Sequence, residues 1–219
     1  MEREAFLEQI RLKGPAPENL PHPLREMAEI PLVRYVRDLS DPVSAFIEVA
    51  NEIGANARLI SSADEMTEML DQLRDAHDVK TAVLSKDPEV DVIRRRFASG
   101  TASFQAVEFD SFVAASSVDL GVTGAAFGVA ATGSLVMYPN RAGGRSSSLL
   151  PPVHLALVDE KNILRDSSEV FRKMGERFPD GLPSQLIFAS GPSRSGDIGG
   201  VLTVGVHGPG HVWIGVLKD

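Results

Sequence analysis

The chain has 219 residues, 43% of them hydrophobic and 24% charged, with no cysteine and a formal net charge of -8. That composition and length suit one soluble domain of moderate size with a full core and exclude disulfides, thiol nucleophiles and a cysteine-held iron–sulfur cluster within the chain. The acidic balance, without a basic run, argues against nucleic-acid binding and adhesion to anionic membranes.

In chain order, residues 2–13 read as a short amphipathic helix with Phe6, Leu7 and Ile10 at helical spacing. No apolar segment of secretory type opens the chain, and the longest apolar stretch, about 122–137, is broken by glycine, threonine and serine, so a cytoplasmic protein without membrane insertion is expected. GPAPENLPHP (14–23) holds four prolines and predicts an extended surface segment. Residues 1–40 are therefore expected to form a helical and Pro-rich arm, and 41–219 the α/β domain.

Asp41 is an N-cap candidate with Pro42 at the first helical position, and Gly54 suits the helix end. Strand-like ARLIS (57–61) precedes a helix capped by Ser62 and running from Ala63 to about Ala76. TAVLS (81–85) predicts a second strand, Asp87-Pro88 opens a helix over 88–98, and AVEF (106–109) predicts a third strand. Such alternation implies βαβ units and a largely parallel sheet. VDLGVTG, FGVAATGSLVMYP and PPVHLALVD then read as strands joined by short turns. A helix from Ser167 to about Arg177 precedes LIFAS (186–190) and the terminal pair LTVGV and HVWIGVL. More strand than helix in this half predicts a mixed sheet with an antiparallel part.

Familiar catalytic signatures are missing. There is no G-x-G-x-x-G and no GxxxxGK[ST], and GPSRS around Ser193 misses the hydrolase elbow because Ser195 replaces the final glycine. What stands out is SGPSRSGDIGG (190–200) followed by GVHGPGHVW (205–213). Glycine lets backbone N–H groups approach a ligand, and proline fixes the turn. The reading as a site makes Gly191, Ser193 and Arg194 an anion cradle, with Arg194 a bidentate clamp and Asp197 accepting from a ligand hydroxyl or closing the loop. The structural alternative is a turn with Asp197 as an N-cap and Arg194 in solvent. His207, beside Gly208, is either an acid–base group, since imidazole exchanges protons near neutral pH, or a turn-shaping residue. Gly208-Pro209-Gly210 between His207 and His211 removes a helical metal pair, so no metal is expected. Thr132 and Ser134 flank a sharp turn with hydroxyls for a ligand or a plain hairpin, while Arg145, in NRAGGRSSSLLPP, supplies positive charge near the site or lies in a solvated loop. His154 alternates with Val153 and Leu155 as a hydrogen-bonded sheet histidine.

The ordered series GVTGAAFGVAATGSLV, GRSSSLLPPVHLALV, SGPSRSGDI and VGVHGPGHVW, spanning 118–217, resembles the LUD-domain proteins of the lactate-utilisation protein C type. The resemblance implies a Rossmann-like α/β sandwich of the NagB/RpiA/CoA-transferase-like group. It also implies a part in oxidising L-lactate to pyruvate beside sister proteins that carry iron–sulfur clusters, with no cofactor held by this chain. One departure is Ala131, where such proteins often place an acidic residue. The resemblance carries no catalytic residue across. Two alternatives stand beside it: a free-standing enzyme on a CoA-, nucleotide- or folate-type substrate, and a non-catalytic assembly protein. The expected partners are the iron–sulfur sister proteins, a small anionic metabolite and a further copy of the chain.

Overall fold

The computed structural model describes residues 39–98, 104–107, 115–138, 145–179, 181–196 and 202–218, together with Glu4 and Glu8. The expected Pro-rich arm and Asp197 lie outside the described residues.

Helix α1 (Pro42–Glu52) begins as its sequence dictates: the Asp41 carboxylate accepts from the Val43 and Ser44 N–H groups at 3.1 and 3.2 Å. Strand β1 (Asn56–Ile60) leads to α2 (Ala63–His77). There Ser62 Oγ accepts from Glu65 N–H while the Glu65 carboxylate reaches back to Ser61 N–H, a capping box displaced by one residue. Strand β2 (Thr81–Leu84) is followed by a 3₁₀ turn at Pro88–Val90, helix α3 (Asp91–Ala98) and strand β3 (Gln105–Val107).

The second half supplies β4 (Leu120–Gly124), β5 (Phe127–Val129), β6 (Ser134–Met137), a one-turn helix α4 (Ser146–Leu149), β7 (Val153–Asp159) and β8 (Ile163–Leu164). Helix α5 (Ser167–Arg177), capped by Asp166, precedes β9 (Ile187–Ala189), β10 (Arg194–Ser195), β11 (Thr203–Val204) and β12 (His211–Leu217).

Six strands form a parallel sheet in the order β1-β12-β7-β4-β2-β3. The antiparallel character expected of the second half is real but sits apart, in a four-stranded sheet β8-β5-β6-β9 and a hairpin of β10 with β11. β7 and β12 are apolar on both faces because both faces are covered, as parallel strands require. On one face Leu155, Leu157 and Leu120 pack against Met66, Met69 and Leu73 of α2 and Ile93 of α3. On the other, Ala156, Val158 and Ile214 meet Phe46 and Ala50 of α1 and Leu135 of the smaller sheet. Helix α5 closes the far side of that sheet through Val170 and Met174.

The chain order fixes where a ligand site is favoured. From β2 the chain moves outward to β3, whereas from β4 it moves the opposite way, through β7 to β12. The reversal lies between the neighbours β2 and β4. A crevice opens at the carboxyl ends of strands at such a switch point, because the connections leave in opposite directions.

Candidate functional site

Two clusters lie at opposite edges of the parallel sheet. Of the residues singled out by sequence, Thr132, Ser134, Gly191, Ser193, Arg194, His207 and Gly208 gather at its amino edge, around the end of α1, whereas Arg145 makes only a local contact at the start of α4. Thr132 Oγ1 and Ser134 Oγ lie 2.7 Å apart, and Ser134 Oγ is 2.7 Å from Ser190 Oγ, so a line of hydroxyls ties the Thr132-Gly133-Ser134 turn to the start of SGPSRSGDI. Gly133 has φ +61°, and a Cβ there would fall 2.6 Å from the Ala50 nitrogen. Only glycine lets this turn press so closely onto α1.

Ser193 joins the two Gly/Pro loops. Its N–H donates to the Pro209 carbonyl at 2.9 Å, its carbonyl accepts from Gly205 N–H at 2.9 Å, and its Oγ accepts from His207 N–H at 3.1 Å. Gly208 packs beside Ser193 and Leu149. The loops therefore meet, but not through neighbouring strands. LIFAS pairs with β6 in the smaller sheet, while Thr203–Val204 pairs with Arg194–Ser195. Within LTVGV the strand is limited to Thr203–Val204, and Gly205 turns the chain directly after it at φ +82°.

Arg194 is exposed, and its guanidinium lies on Gly54 just past the carboxyl end of α1. The negative end of a helix dipole attracts a cation there, which gives Arg194 a structural partner in this conformation. Gly191, at φ +73°, backs onto the Ile53 carbonyl of the same helix end. Arg145 is exposed at the start of α4, where its carbonyl accepts from Ser148 Oγ at 3.0 Å. His207 presents an exposed ring, held through its backbone.

The second cluster is at the carboxyl edge, at the switch point itself. A cavity of about 240 Å³ opens between the ends of β2 and β4 and beneath the end of β6. Asp87, Glu89, Thr123, Tyr138, Asn162 and Arg177 line it. Asp87 is held in place: it accepts from Ser85 Oγ and from Gly124 N–H at 3.1 Å. A side chain at Gly124 would strike the Glu89 carboxylate and Asp87 Cβ, so the carboxylates approach the β4 backbone only because residue 124 is glycine. Burial raises the Glu89 pKa, and the negative charges of Asp87 and Asp159 add to this against an opposing pull from Arg177. The Tyr138 phenol is likewise raised by burial, and Arg177 stands over its ring at 5.4 Å from the centroid.

Behind the cavity wall, Thr123 Oγ1 lies 2.8 Å from His154 Nε2. His154 is fully buried, and burial lowers its pKa to about 4, so it is neutral at physiological pH. This matches a hydrogen-bonded sheet histidine. Among the described residues, no three His, Asp or Glu side chains converge as a metal-holding group, and no helix is long and apolar enough to cross a membrane.

Sequence reasoning missed the carboxyl-edge cluster. Its available signal was LSKDPEV (84–90), two carboxylates directly after a predicted parallel strand. Asp87-Pro88 serves in that reading only to start a helix. Arg177 and Tyr138, far away in sequence, give no local sign of belonging there.

Comparison with known proteins places the chain among relatives. It is 37% identical over 107 residues to "Lactate utilization protein C" of Halalkalibacterium halodurans, covering 48% of this chain and 46% of that protein. It is 35% identical over 107 residues to a protein of the same name from Bacillus licheniformis, covering 48% and 45%. These matches span about half the length of those relatives. A longer match, 30% identical over 158 residues, covers 68% of this chain and 68% of "Lactate utilization protein C 1" of Bacillus mycoides. The crystal structure of a DUF162 family protein from Deinococcus radiodurans shares the fold, with a TM-score of 0.56 at 19% identity over 83% of this chain and 99% of that one. The sequence model of the LUD domain matches residues 43–216, which takes in both edge clusters, and the chain belongs to the LUD-domain family.

Proposed function

We propose that this chain serves lactate utilisation as a subunit that binds a small carboxylate in an L-lactate-oxidising system. The observation that carries the reading is membership of the LUD family together with relatives named for lactate utilisation. Oxidation of lactate to pyruvate releases two electrons and two protons. A chain without cysteine holds no thiolate-ligated cluster to receive the electrons, so iron–sulfur proteins are the proposed partners.

The Gly/Ser/Arg loops are one place for the carboxylate. The Ser193 hydroxyl would face it, and Arg194 would leave Gly54 to pair with it. Thr132, Ser134, Arg145, Asp197, His207 and Gly208 complete that proposal. Deleting the gene tests the role: loss of growth on L-lactate, restored by the intact gene, is expected, and normal growth in the absence of a paralogue overturns it. Calorimetry with L-lactate tests the loops: a seat there would make Arg194→Ala weaken binding about tenfold or more through loss of a desolvated ion pair, and Arg194→Lys by less.

A further inference from the structure

We propose that the seat of this ligand is the carboxyl-edge cavity, where a small 2-hydroxy acid would place its carboxylate against Arg177 and its hydroxyl between Asp87 and Glu89. The inference rests on the reading that this chain binds a small carboxylate, and it assigns that ligand to the edge opposite Ser193 and Arg194.

Three independent features carry it. The first is position: the cavity stands at the reversal between β2 and β4, at the carboxyl ends of parallel strands, where open α/β sheets bind ligands. The second is size. About 240 Å³ falls below the about 300 to 1,000 Å³ usual for cavities that hold drug-sized ligands, and so suits a metabolite of a few carbons and not a dinucleotide or a CoA ester.

The third is the lining. Arg177 provides a planar, permanently charged fork for one carboxylate. Opposite in charge stand Asp87, already oriented by Gly124 N–H and Ser85 Oγ, and Glu89. These accept hydrogen bonds from a hydroxyl, and the arrangement favours a ligand with an acid at one end and an alcohol at the other. Several phosphates would meet an excess of negative charge.

That excess has a consequence. Glu89 is faced by Asp87, Asp159, Tyr138 and Arg177, and Asp159 is itself paired with Lys161 at 2.9 Å. A ligand carboxylate adds one more negative charge, which the cavity relieves by leaving a proton on Glu89. Burial already pushes Glu89 that way. Binding is therefore coupled to proton uptake, and affinity falls as pH rises.

Calorimetric titration of the full chain with L-lactate and D-glycerate, set against propionate, at about pH 6 and pH 8, decides the matter. In the wild-type protein the hydroxy acids should bind more tightly than propionate, and more tightly at the lower pH. Arg177→Met should weaken binding about tenfold or more. Glu89→Gln should retain binding and abolish its pH dependence, a result that mere structural damage does not produce. Arg194→Ala should leave affinity within about twofold of wild type, as a residue outside the seat would. Thermal melts of each variant confirm folding. If Arg177→Met and Glu89→Gln leave both affinity and pH dependence intact while Arg194→Ala removes binding, the seat is at the amino edge: this inference fails and the small-acid reading survives. If neither hydroxy acid binds the wild-type chain at either pH, the small-acid reading itself fails.

Discussion

His154 makes the fold sensitive to acid, and the size of the effect follows from its surroundings. The ring is 2% exposed, its Nε2 is taken up by Thr123 Oγ1, and burial lowers its pKa from 6.5 to about 4. The unfolded chain therefore binds a proton at this residue between these values while the folded chain does not. Stability contributed by the neutral ring is present above pH 6.5 and falls as pH drops toward 4. At pH 5 the unfolded imidazole is almost fully protonated and the folded one only slightly, which costs about 2 kcal/mol relative to pH 7.5. Below pH 4 the loss levels off at about 3 kcal/mol. His77, also lowered by burial and by His211, acts with the same sign, and Glu89, raised by burial, acts against it. A second protein cancels both: His154→Gln keeps an amide for Thr123 and does not titrate. Urea unfolding of the two proteins at pH 7.5 and pH 5 should show wild type losing about 2 kcal/mol more than the variant. Equal losses, within about 0.5 kcal/mol, refute the reasoning.

Other substitutions probe the remaining supports. Gly133→Ala places a methyl against the Ala50 backbone at positive φ, so it should cost about 1–3 kcal/mol, lowering Tm by several degrees in a calorimetric scan. Thr123→Val leaves His154 Nε2 without its hydroxyl partner and should cost about 1–3 kcal/mol in urea unfolding at pH 7.5. Asp166→Ala removes the acceptor of the Ser168 and Glu169 N–H groups at 2.7 and 3.0 Å and should cost about 1 kcal/mol by the same measurement, with Asp166→Asn recovering most of it.

Local chemistry was enough to place most helices and strands. Asp41-Pro42, Ser62 and the 167–177 segment announce helices because caps and periodic apolar faces act within a few residues. The alternation of strands and helices over 41–107 implies a parallel sheet, since parallel neighbours need crossovers. The ordered Gly/Ser motifs disclosed the family, and Gly133 shows one reason for such a motif, since the backbone there presses so closely onto α1 that it tolerates little else. Strand partners were another matter. A short strand such as Ile187–Ala189 carries no local record of which edge it will join, and pairing β9 with β6 is decided by how α1 and α5 cover the smaller sheet. The same holds for the cavity. Asp87, Tyr138 and Arg177 lie on three separate elements, and only the reversal of chain direction between β2 and β4 brings them around one space. Sequence records short-range preferences, whereas a site assembled across a switch point exists only once long-range packing has set the strand order.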